Sequence, residues 1–436
     1  MAAHSRIRPV QVIVFILVLV PAFKLVEPFL RPGPKKVSAE EARAGAVLFN
    51  HEWVANDPLT KGDGLGPVFN ARSCAECHSQ AGPGGGGPVS KNVTVYGLAA
   101  PDPKGIPASG VVHAHATRPE FQETLNLVAP GLPHQPTMAL STLTSPRRVL
   151  PTGVVITQRN TPALFGAGLI DAVSDEAIIA HQREHSDAAR LVGLNGARDS
   201  KVRGRIARLA DGRIGRFGWK SEFATLGDFV KAACANELGL SNPGRPQATP
   251  LGKRDYKQTG EDLTDAQCVL MTDFIRDLAQ PERRRPADPH DAEVAEHGYQ
   301  LFQKIGCADC HSESLGPIAG LYSDMLLHDM GVELESSTGY YGSILPPTVR
   351  NDKFATTEQP TPGEWRTAPL WGVADSGPYL HDGRADTLAQ AIALHGGEAS
   401  NVAKGFKELP ASEQNAIVAF LKTLRAPSAG LSLAVK

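Results

Sequence analysis

An excess of charge of either sign is missing from this chain of 436 residues: the formal net charge is −2 at pH 7, which leaves no basic footprint for nucleic acid. Cysteine is also scarce. Only six are present, and the two outside the clusters described below, Cys234 and Cys268, form no C-x-x-C pair, so a thiol oxidoreductase has no support. A full-length apolar span is lacking as well. The run from Val10 to Phe23 is broken by Gln11 and Pro21 and is short against the ~20 residues a transmembrane helix needs. Extending it through Leu30 takes in Lys24 and Glu27, which long side chains accommodate near an interface by snorkelling. His4, Arg6 and Arg8 precede the run, and no small-x-small cleavage pattern follows it. The segment therefore reads as an uncleaved anchor rather than a cleaved signal, holding the rest of the chain outside the inner membrane. Glycine and proline are plentiful, 43 and 34 residues against a usual joint share of roughly 12%, so long irregular segments are expected.

Against that background two five-residue clusters stand out, Cys74-Ala75-Glu76-Cys77-His78 and Cys307-Ala308-Asp309-Cys310-His311. C-x-x-C-H is the attachment signal for c-type haem: the thiols bond covalently to the porphyrin's vinyl groups and the adjacent imidazole takes a proximal iron position. With this composition, chance supplies roughly 0.003 such motifs per chain. Half of a zinc site would need a second Cys/His pair nearby, and a redox dithiol has no use for the histidine. Two covalently bound haems are expected, with Cys74, Cys77, His78, Cys307, Cys310 and His311 as the cofactor-binding residues. Covalent haem c attachment belongs to an oxidising, extracytoplasmic compartment, where Cys234 and Cys268 could form a disulfide or remain two buried thiols.

The chain divides into residues 1–36, the anchor or signal segment with its linker; 37–285, a first domain; and 286–436, a second. Ser38 with Glu40 and Glu41 opens a helix to about Asn50. Residues 91–155 show short strands and proline-rich loop, a small β insertion. Ser174-Asp175-Glu176 starts a helix over 177–191, Thr225 caps one over 226–238, and Leu263-Thr264-Asp265 opens one to Leu278. Arg283 to Pro289 marks the boundary. A helix over 292–304 then precedes Cys307, and a last one spans 412–424. Each half runs helix, C-x-x-C-H, irregular region, closing helix. The fold class is mainly α: two cytochrome-c-like haem domains with long loops, the product of an internal duplication.

Several blocks, in this order, make the chain similar to the di-haem oxidoreductase family of peroxidase type, relatives of bacterial di-haem cytochrome c peroxidase and of the di-haem enzyme that matures a tryptophylquinone. They are 64–67, 159–165, 215–220, 322–331 and 365–383, and the resemblance covers about residues 38–426. It implies the following roles. Fourteen residues after the histidine of Pro378-Tyr379-Leu380-His381-Asp382-Gly383 the peroxidases carry a methionine ligand; here that position is His395, so the second haem is expected to be bis-histidine, His311 with His395, at a lowered potential. Met330 is the rival ligand, better read as core. The first haem has His78 on one side and an open or displaceable far side, with His113, His115 and His134 as candidate ligands. Glu237 falls at the peroxidases' distal glutamate, Trp219 at their inter-haem tryptophan, and Phe229 where they carry a glutamine, a departure that removes a polar group from proton delivery. Asn160 and the carbonyls of Ser376 and Pro378 match the family's calcium site.

The function expected is an extracytoplasmic di-haem oxidoreductase that passes electrons from a cytochrome or cupredoxin-like donor through the second haem to hydrogen peroxide at the first. The alternatives are a pure electron carrier and an oxidase of a partner protein.

Overall fold

The computed structural model describes residues 35–98, 109–121, 148–149, 154–194, 202–250, 253, 255–336 and 360–428. The expected anchor and His134 lie outside them. Among the described residues no helix is long and apolar enough to cross a membrane.

Helix α1 (Ala39–Asn50) begins where expected because Ser38 and Glu41 form a reciprocal capping box, satisfying two backbone donors at once. The first haem motif follows as a single turn, α2 (Cys74–Cys77), capped by Ser73, whose hydroxyl accepts from the Glu76 amide. Next comes the β insertion: β1 (Val93–Leu98), β2 (Ser109–Val112), β3 (Arg148–Val149) and β4 (Val154–Arg159) form an antiparallel sheet in the order β2-β1-β4-β3. Its register sets Val95 opposite Thr157 and Tyr96 opposite Ile156. Four helices follow: α3 (Ala167–Ala172), α4 (Asp175–Leu194), α5 (Leu226–Glu237) and α6 (Asp265–Asp277).

Helix α7 (Pro289–Ile305) starts three residues earlier than the sequence pattern suggests, since Asp288 caps it and Pro289 occupies its first turn, where a missing N–H costs nothing. Strands β5 (Leu327–Asp329) and β6 (Glu364–Arg366) pair antiparallel, and α8 (Leu388–Ala393), α9 (Ser400–Glu408) and α10 (Ala411–Leu421) complete the described chain. The last helix stops before Leu424 because Leu424–Arg425 pairs with Glu282–Arg283 instead.

The halves repeat one packing device. α1 crosses α6 at Gly45, where a Cβ would sit 2.0 Å from the Leu270 carbonyl oxygen, and α7 crosses α10 at Gly298, where it would sit 1.8 Å from that of Ala416. Glycine lets each pair of backbones touch. Phe49 and Phe274 pack at 4.9 Å at the first crossing, and Phe302 and Phe420 at 5.2 Å in the second half, aromatic pairs worth ~0.5–1.5 kcal/mol beyond their buried area. Two hydrophobic clusters result, one around Phe49, Trp53 and Phe274, one around Phe302, Ile417 and Phe420. The first also takes in Leu315, Leu326 and Trp371 from beyond residue 286, so the halves share a seam.

Candidate haem sites

Both motifs adopt one backbone geometry. The amide of His78 donates to the Cys74 carbonyl and that of His311 to the Cys307 carbonyl, each at 2.9 Å, which brings two sulfurs and an imidazole to one turn. In the second copy Gly306, at φ +99°, ends α7 and turns the chain into that loop. Burial pushes the thiols of Cys74, Cys77 and Cys307 up to about 12. They are held protonated, unlike metal-binding thiolates, in apolar surroundings that suit a porphyrin.

In the second half His395 stands across from His311, the ring centroids 6.5 Å apart. His311 Nδ1 donates to the Tyr322 carbonyl at 3.0 Å, and His395 Nδ1 to the Ala391 carbonyl at 2.7 Å, which leaves both Nε2 lone pairs for a ligand. Burial holds both imidazoles neutral, His311 at about 4 and His395 below its ordinary value. Two imidazoles bonded to one metal through Nε2 at ~2.0–2.1 Å put their centroids roughly 6.4 Å apart. The residues therefore fit an iron between them. Met330 is only half-buried, and its amide donates to the Gly363 carbonyl.

The first half is built differently. His78 Nδ1 donates to the Gly85 carbonyl at 3.3 Å, and burial brings its imidazole down to about 4, so it offers the same neutral Nε2. Among the described residues no second imidazole ring faces it as His395 faces His311. His113 is half-buried and uses its Nε2 to donate to the Asn236 carbonyl at 2.7 Å. His115 is exposed, stacks on Phe69 at 5.3 Å and lines a surface depression of about 590 Å³ with Arg72 and Glu76. Glu237, at the end of α5, accepts from Asn70 Nδ2 at 2.7 Å, while Asn70 Oδ1 accepts from the Ala114 amide at 2.9 Å. Its charge reaches Cys77: after burial, Glu237 is the next cause raising that thiol. A carboxylate anchored through an amide thus borders the first attachment site. Phe229, two turns earlier on α5, packs against Phe217 and Phe223.

Between the halves lies the turn carrying Trp219. Its indole Nε1 donates to the Asn160 carbonyl at 2.9 Å, and the Asn160 amide donates to the His381 carbonyl at 2.7 Å. The expected calcium donors are near one another: a Cβ on Gly383 would lie 3.0 Å from Pro378 and 3.1 Å from Asn160 Nδ2. Asn160 Nδ2 donates to Asn92 and the Ser376 hydroxyl to Gly372, bonds that leave the Asn160 side-chain oxygen and the two carbonyls out of account. The expected donors amount to three oxygens, one from a side chain and two from carbonyls, so the rest of the six to eight that calcium takes would come from water or other groups. Cys234 and Cys268 are both buried free thiols.

Sequence reasoning overlooked two groups. His328, buried beside the second motif at 3.7 Å from Cys310 Sγ, is held by Asp324 at 2.8 Å and Glu398 at 2.9 Å; the two carboxylates raise its pKa well above the ordinary range although burial opposes them. The Asp-x-x-x-His spacing was the available signal. The other is a buried aromatic and cationic cluster in which His381 stacks on Trp365 at 3.6 Å, with Arg159 and Lys220 over the same ring at 4.9 and 4.0 Å.

A family model described as "Di-haem oxidoreductase, putative peroxidase" matches residues 135–424, well over half of the chain. The chain is 36% identical over 151 residues to "Cytochrome-c peroxidase IdrP2" of Pseudomonas sp. (strain SCT), a match covering 30% of this chain and 39% of the relative. It is 33% identical over 147 residues to "Methylamine utilization protein MauG" of Methylorubrum extorquens, covering 32% and 36%. The chain therefore spans well under half the length of these relatives. Among solved structures, the diheme peroxidase BthA from Burkholderia thailandensis aligns at 16% identity with a TM-score of 0.40, covering 90% of this chain and 89% of that one.

Proposed function

The chain belongs to the di-haem oxidoreductase family, and on that premise we propose that it is a peroxidase-type enzyme with two covalently attached haems c working in unlike roles. The observation that carries this reading is the asymmetry of the two sites: His395 faces His311 at 6.5 Å, whereas the surroundings of His78 offer the Asn70–Glu237 pair. When bound, the haems supply the one-electron chemistry. His311 and His395 would hold one iron between them, which would suit that haem to electron entry from a small cytochrome or cupredoxin-like donor. His78 would hold the other, and the Trp219 indole, bonded to the Asn160 carbonyl at the seam, would serve the path between them. Glu237 takes the proton from the near oxygen of hydrogen peroxide at its carboxylate and returns it to the far oxygen, so that cleavage releases water rather than hydroxide. The balance is one peroxide, two electrons and two protons to two waters.

The test is to add hydrogen peroxide to the pre-reduced protein and follow the high-spin haem, together with low-temperature magnetic resonance of the resting ferric form. No spectral response and no turnover with reduced cytochrome would end the proposal. Two low-spin signals indifferent to cyanide would favour an electron carrier instead. Similarity to the methylamine utilization protein keeps a third reading, an oxidase of a partner protein, which predicts turnover of a protein donor but not of small reductants. The working compartment on this reading is extracytoplasmic, with residues 1–36 as the tie to the inner membrane, checked by cell fractionation. Calcium at Asn160, Ser376 and Pro378 is the weakest element: a chelator that changes neither haem spectrum removes it.

A further inference from the structure

Beyond that reading, and resting on its use of Trp219 as the path between the haems, we propose that Lys220 is a positioning residue whose ammonium, caged by carbonyls of the 361–364 turn, holds the Trp219 indole at the seam. Lys220 is only 3% exposed. Its Nζ donates to the carbonyls of Thr361 at 2.8 Å, Pro362 at 3.0 Å and Glu364 at 2.7 Å. Those three bonds use every proton of the ammonium. The Trp365 ring lies beneath, its centroid 4.0 Å away, a further attraction for a desolvated cation.

A buried lysine ordinarily persists by pairing with a carboxylate. This one is spent on neutral oxygens of the polypeptide across the seam, and the chain it fastens is the turn that bears Trp219. A second clasp holds the same turn: the Arg366 amide donates to the Trp219 carbonyl at 2.9 Å, and Arg366 Nε to the Gly218 carbonyl at 3.0 Å. The indole's own bond to the Asn160 carbonyl then fixes the ring on a turn that is already held at two places. An electron that leaves one haem arrives at the other and the indole is unchanged, so what Lys220 governs is the ring's placement.

The charged groups facing the cage come from both halves: Arg159 from β4, Glu222 from the Trp219 turn, Glu335 and Glu364 from beyond the seam, and His381 stacked on Trp365. Burial first, then the neighbouring Arg159, bring the Lys220 amine down to about 7. The ammonium is therefore present below neutral pH and lost above it.

The test uses the full-length holoprotein with Lys220→Met, Lys220→Arg and Trp219→Phe. Two quantities are read. One is the indole N–H hydrogen-bond signature in ultraviolet resonance Raman, assigned to Trp219 by difference from Trp219→Phe; the other is the rate of electron equilibration between the haems after partial flash reduction. Lys220→Met is expected to weaken the signature and slow equilibration at least about tenfold, as displacements of an ångström do at reacting centres, with both haem absorption spectra unchanged. Lys220→Arg, which keeps the charge, should restore both. In the wild type both quantities should shift together with a midpoint near pH 7, and Lys220→Arg should abolish that shift. An indole signature that stays put in Lys220→Met, or across the wild-type titration where the methionine variant does not fold, overturns the proposal. If Trp219→Phe leaves equilibration unchanged, the bridging role fails while the indole signature still decides for or against Lys220.

Discussion

The two haem-attachment turns are near copies in backbone and opposites in what surrounds them. Each follows a helix that crosses its partner at a glycine, and each closes with a histidine amide on the first cysteine's carbonyl at 2.9 Å. At the second, the cationic His328 sits 3.7 Å from Cys310 Sγ and His395 faces the motif histidine. At the first, the anionic Glu237 bears on Cys77, and His113 is tied to a carbonyl. The contrast teaches that the five-residue motif fixes the attachment turn alone, and that other parts of the chain decide what stands around each motif histidine.

The sharpest way to break the comparison is to remove one attachment at a time. Cys74→Ala/Cys77→Ala should abolish the peroxide response entirely yet keep the low-spin signal, and Cys307→Ala/Cys310→Ala should do the reverse; haem content per chain by pyridine haemochrome should halve in both. Equal loss of both signals in either variant would mean that the sites do not divide their labour.

Next in size is the His328 triad. Its imidazolium is raised by Asp324 and Glu398, so its contribution to stability is fully present below its ordinary pKa near 6.5 and is lost only as pH rises through the raised value. Asp324 and Glu398 are lowered despite burial; their contribution is present above the ordinary carboxylate range and disappears as pH falls through the lowered values. Neutral pH therefore lies inside both windows. His328→Asn leaves the buried Asp324 and the half-buried Glu398 without their cation and should cost ~3–5 kcal/mol, read from urea unfolding with the second haem's absorbance as probe. The first haem's transition should move less.

Glu237→Gln keeps the shape and the bond to Asn70 but removes the proton acceptor. Peroxide turnover should fall about 100-fold while the His311/His395 signal stays as it was. His395→Met sharpens the other side: the second haem should remain low-spin, and its potential should rise by on the order of 0.1 V, within the ~0.8 V range that axial ligands command, measured by spectroelectrochemistry.

Much of this was legible in the chain because it is written locally. Ser38 with Glu41 and Thr264 with Gln267 are capping boxes four residues wide, and each haem motif is a single turn. His395 was found by its offset from the His381 block, which the resemblance supplied and periodicity could not. The helix α8 escaped notice although Thr387 and Gln390 form a third capping box, since six residues carry too little apolar period to register. Lys220 was invisible for a stronger reason. Its three oxygens lie more than 140 residues downstream, and nothing near it in sequence distinguishes a caged ammonium from a solvated one. The free state of Cys234 and Cys268 likewise depends on tertiary placement.

The smallest expected effect concerns Phe229, which the resemblance sets at a position where the peroxidases carry a glutamine. Its ring lies 6.3 Å from Phe217 and 5.2 Å from Phe223, so it serves as packing between α5 and the turn that leads to Trp219. Phe229→Gln trades that packing for a polar group on the helix that ends in Glu237. Loss of the aromatic contacts should lower stability by ~1–3 kcal/mol, and peroxide turnover should rise by no more than about threefold, since general acid–base gains depend on reach as well as polarity. Steady-state turnover beside Glu237→Gln gives the comparison. A rise as large as the fall expected from the Glu237 change would mean that the missing amide, and not the carboxylate, limits proton delivery at the first haem, and the two sites would then differ by a single side chain rather than by the way each half is built.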